Sequence, residues 1–188
     1  MELFTNKQIL KVYYILIESP NGVKNEVNTQ KQNFKNWIGY GNKLNSPPHI
    51  SLVQFKLDIQ REEILLTELN GIVLKQPKFA AKTLGIEGFE NNRLISISIA
   101  PEPLKSLHAL IISTLRMVVR VAHLKVKKLS YPHITIGHVP VEKDFNSNYA
   151  RFKSIEFMRE FEINKITLLV ESESPNRKWD KVKDFYLQ

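Results

Sequence analysis

One short pattern occurs twice, and it constrains the fold more than any other feature. Pro48-His49-Ile50-Ser51-Leu52 and Pro132-His133-Ile134-Thr135-Ile136 each place a proline before a histidine, then alternate polar and branched aliphatic residues. Side chains along a β-strand alternate between its two faces. On a strand, His49 and Ser51 share one face while Ile50 and Leu52 point into a core, and His133 and Thr135 stand in the same relation to Ile134 and Ile136. Each copy is followed by a predicted helix. Two such strand–helix units imply two similar lobes facing one cleft.

The rest of the chain supports a mixed architecture. Val12 to Glu18 reads as a buried strand stopped by Pro20-Asn21-Gly22. Phe34, Trp37 and Ile38 at helical spacing predict a helix from Asn28 to Tyr40. His49 to Leu57 reads as a strand. Asp58 is placed to cap a helix reaching Ile72, with Leu65, Leu66 and Leu69 on its apolar face. Phe79 to Ile86 and Leu94 to Ala100 read as strands joined by a turn at 87–92. Pro103 suits the start of a helix reaching about Val121, with Leu104, Leu107, Leu110, Ile111, Leu115 and Val118 as its core stripe. His133 to Val139 is predicted as a strand, Asp144 to Glu160 as a helix, and Phe161 to Glu171 as a strand. A turn at Ser174-Pro175-Asn176 then leads to a closing strand, Trp179 to Leu187. Strands and helices do not alternate strictly, so the expected class is α+β with mainly antiparallel sheets, and residues 1–188 are expected to form one unit.

Composition sets limits. A chain of 188 residues buries roughly two-thirds of its unfolded surface and needs no disulfide or metal staple. It has no cysteine, which excludes a thiol nucleophile and fits a reducing compartment. The opening MELFTNKQILKVYYILIES does not have the form of a secretory leader. No apolar run approaches the roughly 20 residues that span a bilayer. The expectation is a cytoplasmic monomer. The excess of 27 Lys and Arg over 19 Asp and Glu, +8 overall, favours polyanionic partners.

The paired motifs suggest their own chemistry. Imidazole titrates near neutrality, so two of them across a phosphodiester serve as general base and general acid. The Ser51 and Thr135 hydroxyls can donate hydrogen bonds to non-bridging phosphate oxygens. No H-x-H, HExxH, Gly-rich phosphate loop or G-x-S-x-G elbow occurs, so neither a metal nor another cofactor is expected.

The segments PPHISLVQF and YPHITIGHV resemble the paired H-x-[ST]-x motifs of the 2H phosphoesterase superfamily, which includes bacterial 2′-5′ RNA ligases and cyclic phosphodiesterases. The resemblance extends from the strand VYYILIE to the closing ITLLVESESPNRKWDKVKDFYL. It implies a bilobal fold with pseudo-twofold symmetry around a central groove, helices outside, and metal-free cleavage of 2′,3′-cyclic or 2′,5′-phosphodiesters in RNA ends or nucleotides. Family precedent places the product phosphate on the 2′ oxygen. His49 and His133 match the catalytic histidines; Ser51 and Thr135 match the phosphate-contacting hydroxyls. Ile136-Gly137-His138 replaces the Leu-Ala-Arg of many 2′-5′ RNA ligases, which bears on RNA joining more than on phosphoesterase chemistry. The alternatives are a binding module that holds an RNA end or a nucleotide phosphate without turnover, and a 2′-5′ RNA ligase.

Other residues are weighed beside these. On a regular strand His138 faces away from the cleft, unless Gly137 marks a bulge that turns it back. Tyr131 is a candidate to stack on a base. Ser96 and Ser98 either line the groove or face solvent. Arg93 and Lys43 are candidates to steer phosphate, whereas the runs at Lys125-Val126-Lys127-Lys128 and Arg177-Lys178 read as solvated surface more than as substrate contacts. His108, inside the third helix, and His123, near its end, have no evident role.

Overall fold

The computed structural model describes residues 9–39, 45–117, 119–120, 123–125, 131–173 and 179–188. The elements run β1 (Leu10–Glu18), α1 (Asn21–Ile38), β2 (His49–Asp58), α2 (Glu62–Val73), β3 (Phe79–Phe89), β4 (Leu94–Ile99), α3 (Leu104–Met117), β5 (His123–Lys125), β6 (His133–His138), α4 (Phe145–Lys153), β7 (Glu160–Ile163), β8 (Lys165–Glu171) and β9 (Trp179–Tyr186). The strands form a curled antiparallel sheet in the order β7-β3-β4-β6-β2-β1-β8-β9, with β5 paired beside β6 on the free part of β2. The class is α+β, as expected.

The sheet has two halves. From the outer edge inward, one reads β9-β8-β1-β2 and the other β7-β3-β4-β6. Helices α2 and α3 contact each other and the first half, through β9 and β2; α1 and α4 contact the second, through β6 and β3. Each half is therefore four strands with two helices, and the motif strands β2 and β6 are the inner pair. They meet at Ile50 and Ile134, which pair antiparallel and are 1% and 0% exposed. Both isoleucines belong to the apolar core between sheet and helices, together with Ile15, Leu52, Ile97 and Ile136. The opposite face of the sheet is the concave one.

Most elements fall where their sequences predict, and the departures have physical reasons. Helix α1 starts at Asn21, well before the predicted Asn28. Pro20 ends β1 and also serves as N-cap, in an extended conformation with its carbonyl accepting from Lys24 N–H at 2.8 Å. Val23 and Val27 continue the buried stripe that Phe34 belongs to. Gly39, at φ 87°, closes the helix with its N–H on Lys35 O. Asp58 caps a single 3₁₀ turn, accepting from Gln60 N–H at 3.1 Å, and α2 begins after that turn. Arg120 has a left-handed φ of 52°, which the predicted continuation of α3 to about residue 121 does not accommodate.

Helix α4 stops at Lys153, and the chain reaches β7 without further helix or strand. The predicted strand from Phe161 to Glu171 is two strands divided at Asn164. β7 pairs with β3 at one edge, whereas β8 pairs with β1 and β9 on the other half. Asn164 is thus where the chain crosses between halves, and its carbonyl accepts from Leu187 N–H at 2.8 Å. No helix among the described residues is long and apolar enough to cross a membrane. The predicted turn at Ser174-Pro175-Asn176 lies outside the described residues.

Candidate active site

The antiparallel register at Ile50–Ile134 decides what meets on the concave face. One residue to either side, His49 stands opposite Thr135, and Ser51 stands opposite His133. The two motifs therefore interleave on one face of the sheet, with Ile50 and Ile134 between them directed into the core. His49, His133 and Thr135 are half-buried and Ser51 is exposed.

The proline of each motif has a structural role that repeats. A residue before proline is held extended. In both motifs the carbonyl of that pre-proline residue turns back onto the imidazole: His49 Nδ1 lies 2.7 Å from Pro47 O, and His133 Nδ1 lies 2.9 Å from Tyr131 O. A carbonyl only accepts, so Nδ1 carries the hydrogen in both rings, and the neutral imidazole has its lone pair on Nε2. The prolines themselves are buried, and their carbonyls accept from the neighbouring strands, Ser19 N–H at 3.2 Å for Pro48 and Ile99 N–H at 2.9 Å for Pro132. In both histidines a backbone carbonyl thus fixes the tautomer and helps to orient the ring.

Gly137 does mark a bulge. Between β4 and β6 the register passes from Ser96–Thr135 to Ile95–Gly137, leaving Ile136 as the extra residue. Ile136 and Gly137 both face the core, and His138 returns to the face of His133, its Nδ1 3.1 Å from Asn92 O. The bulge needs glycine because a Cβ at 137 would stand 2.7 Å from the Phe34 ring of α1. A matching irregularity occurs in β2, where Leu52 is the extra residue between Ile15–Val53 and Leu16–Ser51. It brings Gln54 to the face of His49, as the counterpart of His138.

The strands flanking the motifs differ between halves. On β4, Ser98 pairs with His133 and Ser96 with Thr135; both serines are buried, and neither hydroxyl has a hydrogen-bond partner among the described residues. On β1, Glu18 pairs with His49 and Leu16 with Ser51. Glu18 belongs to an ion network in which Lys165 Nζ lies 3.0 Å from its carboxylate and 2.8 Å from that of Asp184, with Lys181 bridging the same two acids. Burial alone would raise the Glu18 and Asp184 carboxyls, but hydrogen bonds and charge from the lysines, with Thr167 on Asp184, hold both below the usual range. Among the described residues no three His, Asp or Glu side chains gather as a metal site.

Aromatic rings border each histidine. Phe89 lies 6.1 Å from both the His133 ring and the Tyr131 ring, and Tyr131 is 70% exposed. Beside His49 the neighbour is Tyr14, edge-on at 5.7 Å, itself 5.3 Å from Trp179. The Tyr14 hydroxyl lies 3.0 Å from His49 Nε2 and is also hydrogen-bonded to Ser51 Oγ. Sequence reasoning passes over Tyr14 because VYYILIE looks uniformly apolar. Only the alternation around Tyr13, which is fully buried and donates to Glu62, places Tyr14 on the concave face.

The remaining candidates fall away from the motif pair. Arg93 donates from Nη1 to Pro140 O at 2.7 Å, tying the end of β6. His108 is buried against β2 in α3, and burial lowers its pKa. His123 belongs to β5, opposite Lys56, rather than to the end of α3. Lys43, the Lys127-Lys128 part of one basic run and Arg177-Lys178 lie outside the described residues.

A sequence model described as the 2′-5′ RNA ligase superfamily matches residues 26–175, a span that contains both motifs. The chain belongs to this superfamily, the 2H phosphoesterases. Solved structures carry the same fold. LigT of E. coli complexed with 3′-AMP superposes with a TM-score of 0.66 at 16% identity, over 95% of this chain and 99% of LigT. TT0787 of Thermus thermophilus gives a TM-score of 0.69 at 14% identity, over 93% of this chain and 97% of the other. E. coli LigT complexed with NADP+ gives 0.63 at 14% identity, over 94% and 97%. No match is found among curated proteins. The bilobal, pseudo-symmetric arrangement expected of a 2H phosphoesterase is the arrangement observed.

Proposed function

We propose that this protein is a two-histidine phosphodiesterase that opens 2′,3′-cyclic phosphates, or cuts 2′,5′-phosphodiesters, at RNA ends or in small nucleotides. The pairing of Ile50 with Ile134 carries the reading, because it sets two imidazoles with Nε2 lone pairs and two hydroxyls around one patch of the concave face. The described residues act as one bilobal unit, since the site draws on both halves.

In the cyclic case, a water oxygen bonds to phosphorus and gives its proton to one imidazole Nε2. The bond from phosphorus to the 3′ oxygen breaks, and that oxygen takes a proton from the other, protonated imidazole. The phosphate remains on the 2′ oxygen. Ser51 and Thr135 donate hydrogen bonds to the non-bridging oxygens as charge grows there. The two imidazoles end with exchanged protonation states, which solvent resets after product leaves. Both proton transfers are accounted for by side chains, so no metal ion enters the scheme. Tyr131, which like His133 borders the Phe89 ring, serves as a contact for the base, and His138, at the far end of the same face of β6, as a contact for the rest of the nucleotide. A nucleotide ligand also agrees with the 3′-AMP and NADP+ bound to LigT.

Incubation with 2′,3′-cyclic nucleotides, cyclic-phosphate RNA and 2′,5′-linked oligoadenylates tests the proposal. It is expected to yield phosphate monoesters, with EDTA leaving the rate unchanged. Tight binding with no product would instead identify a module that holds RNA ends, a reading favoured by the engagement of His49 Nε2 with Tyr14. Inhibition by EDTA that a divalent ion reverses would contradict the metal-free scheme.

A further inference from the structure

The two halves of the site are not equivalent, and one of their differences is a hydroxyl that bears directly on a histidine. Tyr14 pairs with Gln54, the fifth residue after His49. The pseudo-symmetric position on β4 pairs with His138, the fifth residue after His133, and is Leu94. Leucine offers nothing to hydrogen-bond. His133 has one hydrogen bond, from Nδ1 to Tyr131 O, and its Nε2 has no partner among the described residues.

Proton accounting orients the hydroxyls of the first half. In neutral His49 the Nδ1–H is committed to Pro47 O, so Nε2 only accepts. Tyr14 therefore donates its one proton to Nε2, and Ser51 donates to the Tyr14 oxygen. Burial raises the Tyr14 pKa, partly offset by the Ser51 hydrogen bond, so the phenol keeps its proton at neutral pH. The result is a chain from Ser51 through Tyr14 to His49.

We propose that Tyr14 is a positioning residue that makes the two histidines unequal: by occupying Nε2 of His49 it leaves His133 as the imidazole open to take a proton. His133 is then the base. Its Nε2 takes the proton of the attacking water as the water oxygen bonds to phosphorus. His49 acts when protonated, with Nε2–H donating to the Tyr14 oxygen and the phenol proton turned to Ser51. As the phosphorus–oxygen bond breaks, that Nε2 proton passes to the leaving oxygen, and the neutral ring recovers the Tyr14 hydrogen bond. The acid–base assignment rests on the phosphodiesterase reading, whereas the inequality of the two rings does not.

The test separates the two. Diethyl pyrocarbonate acylates an imidazole nitrogen through its free lone pair, and mass spectrometry reads each histidine with no substrate present. In the native protein His133 is expected to react several-fold faster than His49. Tyr14→Phe keeps the ring contacts with His49 and Trp179 but removes the hydroxyl, and is expected to bring the His49 rate up toward that of His133. Tyr14→Leu, the residue of the second half, should do the same. Equal rates in the native protein, or an unchanged His49 rate in Tyr14→Phe, would overturn the proposal even in a protein that turns over no substrate. With an active substrate, His49→Ala should be rescued by a 4-nitrophenyl leaving group, which needs no proton, while His133→Ala should not. The reverse pattern would overturn the assignment of His133 as base.

Discussion

Gly137 packs against the ring of Phe34, and that contact is why the bulge that turns His138 to the groove carries a glycine. The bulge places both Ile136 and Gly137 on the core side, and α1 sits so close there that only a hydrogen fits. Gly137→Ala forces the Phe34 ring to move. Overpacking of this kind typically costs about 1–3 kcal/mol. The variant should show that loss in urea unfolding, together with weaker nucleotide binding as His138 loses its aim. Unchanged stability would mean that the helix adjusts freely.

Lys31 reports on the loop that carries the first motif. It is buried in α1, its Nζ lies 2.5 Å from Ser46 O, and burial pushes its pKa down to about 8. An unfolded chain keeps that proton up to the ordinary value of 10.5. Between these limits the unfolded state binds more protons than the folded one, so Lys31 adds stability as pH rises through the window. Tyr13, whose pKa is raised by burial and by Glu62, works in the opposite direction above pH 10. The clean measurement is the difference between native protein and Lys31→Met: the native protein should gain on the variant from about pH 8 to 10.5. A pH-independent difference would show that Lys31 is not desolvated.

The two hydroxyls are expected to matter most in the transition state. Ser51→Ala and Thr135→Val should each lower kcat by roughly 10²–10³-fold if they donate to developing charge, the range found when one such donor is removed. KM should move far less. A change confined to KM would make them ground-state binding groups instead.

The ion network beside His49 is a stabilising element separable from the chemistry. Asp184 accepts from Thr167 at 2.7 Å and from Lys165 at 2.8 Å. Its carboxyl lies below the usual range, so its contribution is present at neutral pH and is lost as pH falls through the folded-state value. Asp184→Asn should destabilise the protein by about 1–3 kcal/mol at neutral pH. Its stability should also fall less on acidification than that of the native protein. An equally steep acid dependence would assign that dependence to other carboxylates.

The parts of this molecule that can be read in the chain are those carried by local periodicity. His49-Ile50-Ser51 and His133-Ile134-Thr135 announce both their strand and their polar face, and the repeat announces two halves. What escapes is set by register and by packing between distant segments. Phe161 to Glu171 has the pattern of one strand, and only the edge each part joins reveals the division at Asn164. Pro20-Asn21-Gly22 reads as a stop, although the same residues begin α1 once Val23 and Val27 have a core to enter. β5 has three residues and forms only because part of β2 is left unpaired by β6. Tyr14 is the sharpest case. Its neighbour Tyr13 has the same chemistry, and only the side of the sheet on which each falls makes one a core residue and the other part of the site.

The central claim is that His49 and His133 act on one phosphodiester as a single unit. A double-mutant cycle on cyclic-phosphate hydrolysis measures this directly. Each alanine variant should lose roughly 10²–10⁴-fold in kcat, the usual worth of a positioned acid or base. Because residues that act as a unit are far from additive, His49→Ala combined with His133→Ala should be little slower than the worse single variant. Losses that multiply in the double variant, or single variants that retain native turnover, would contradict the account.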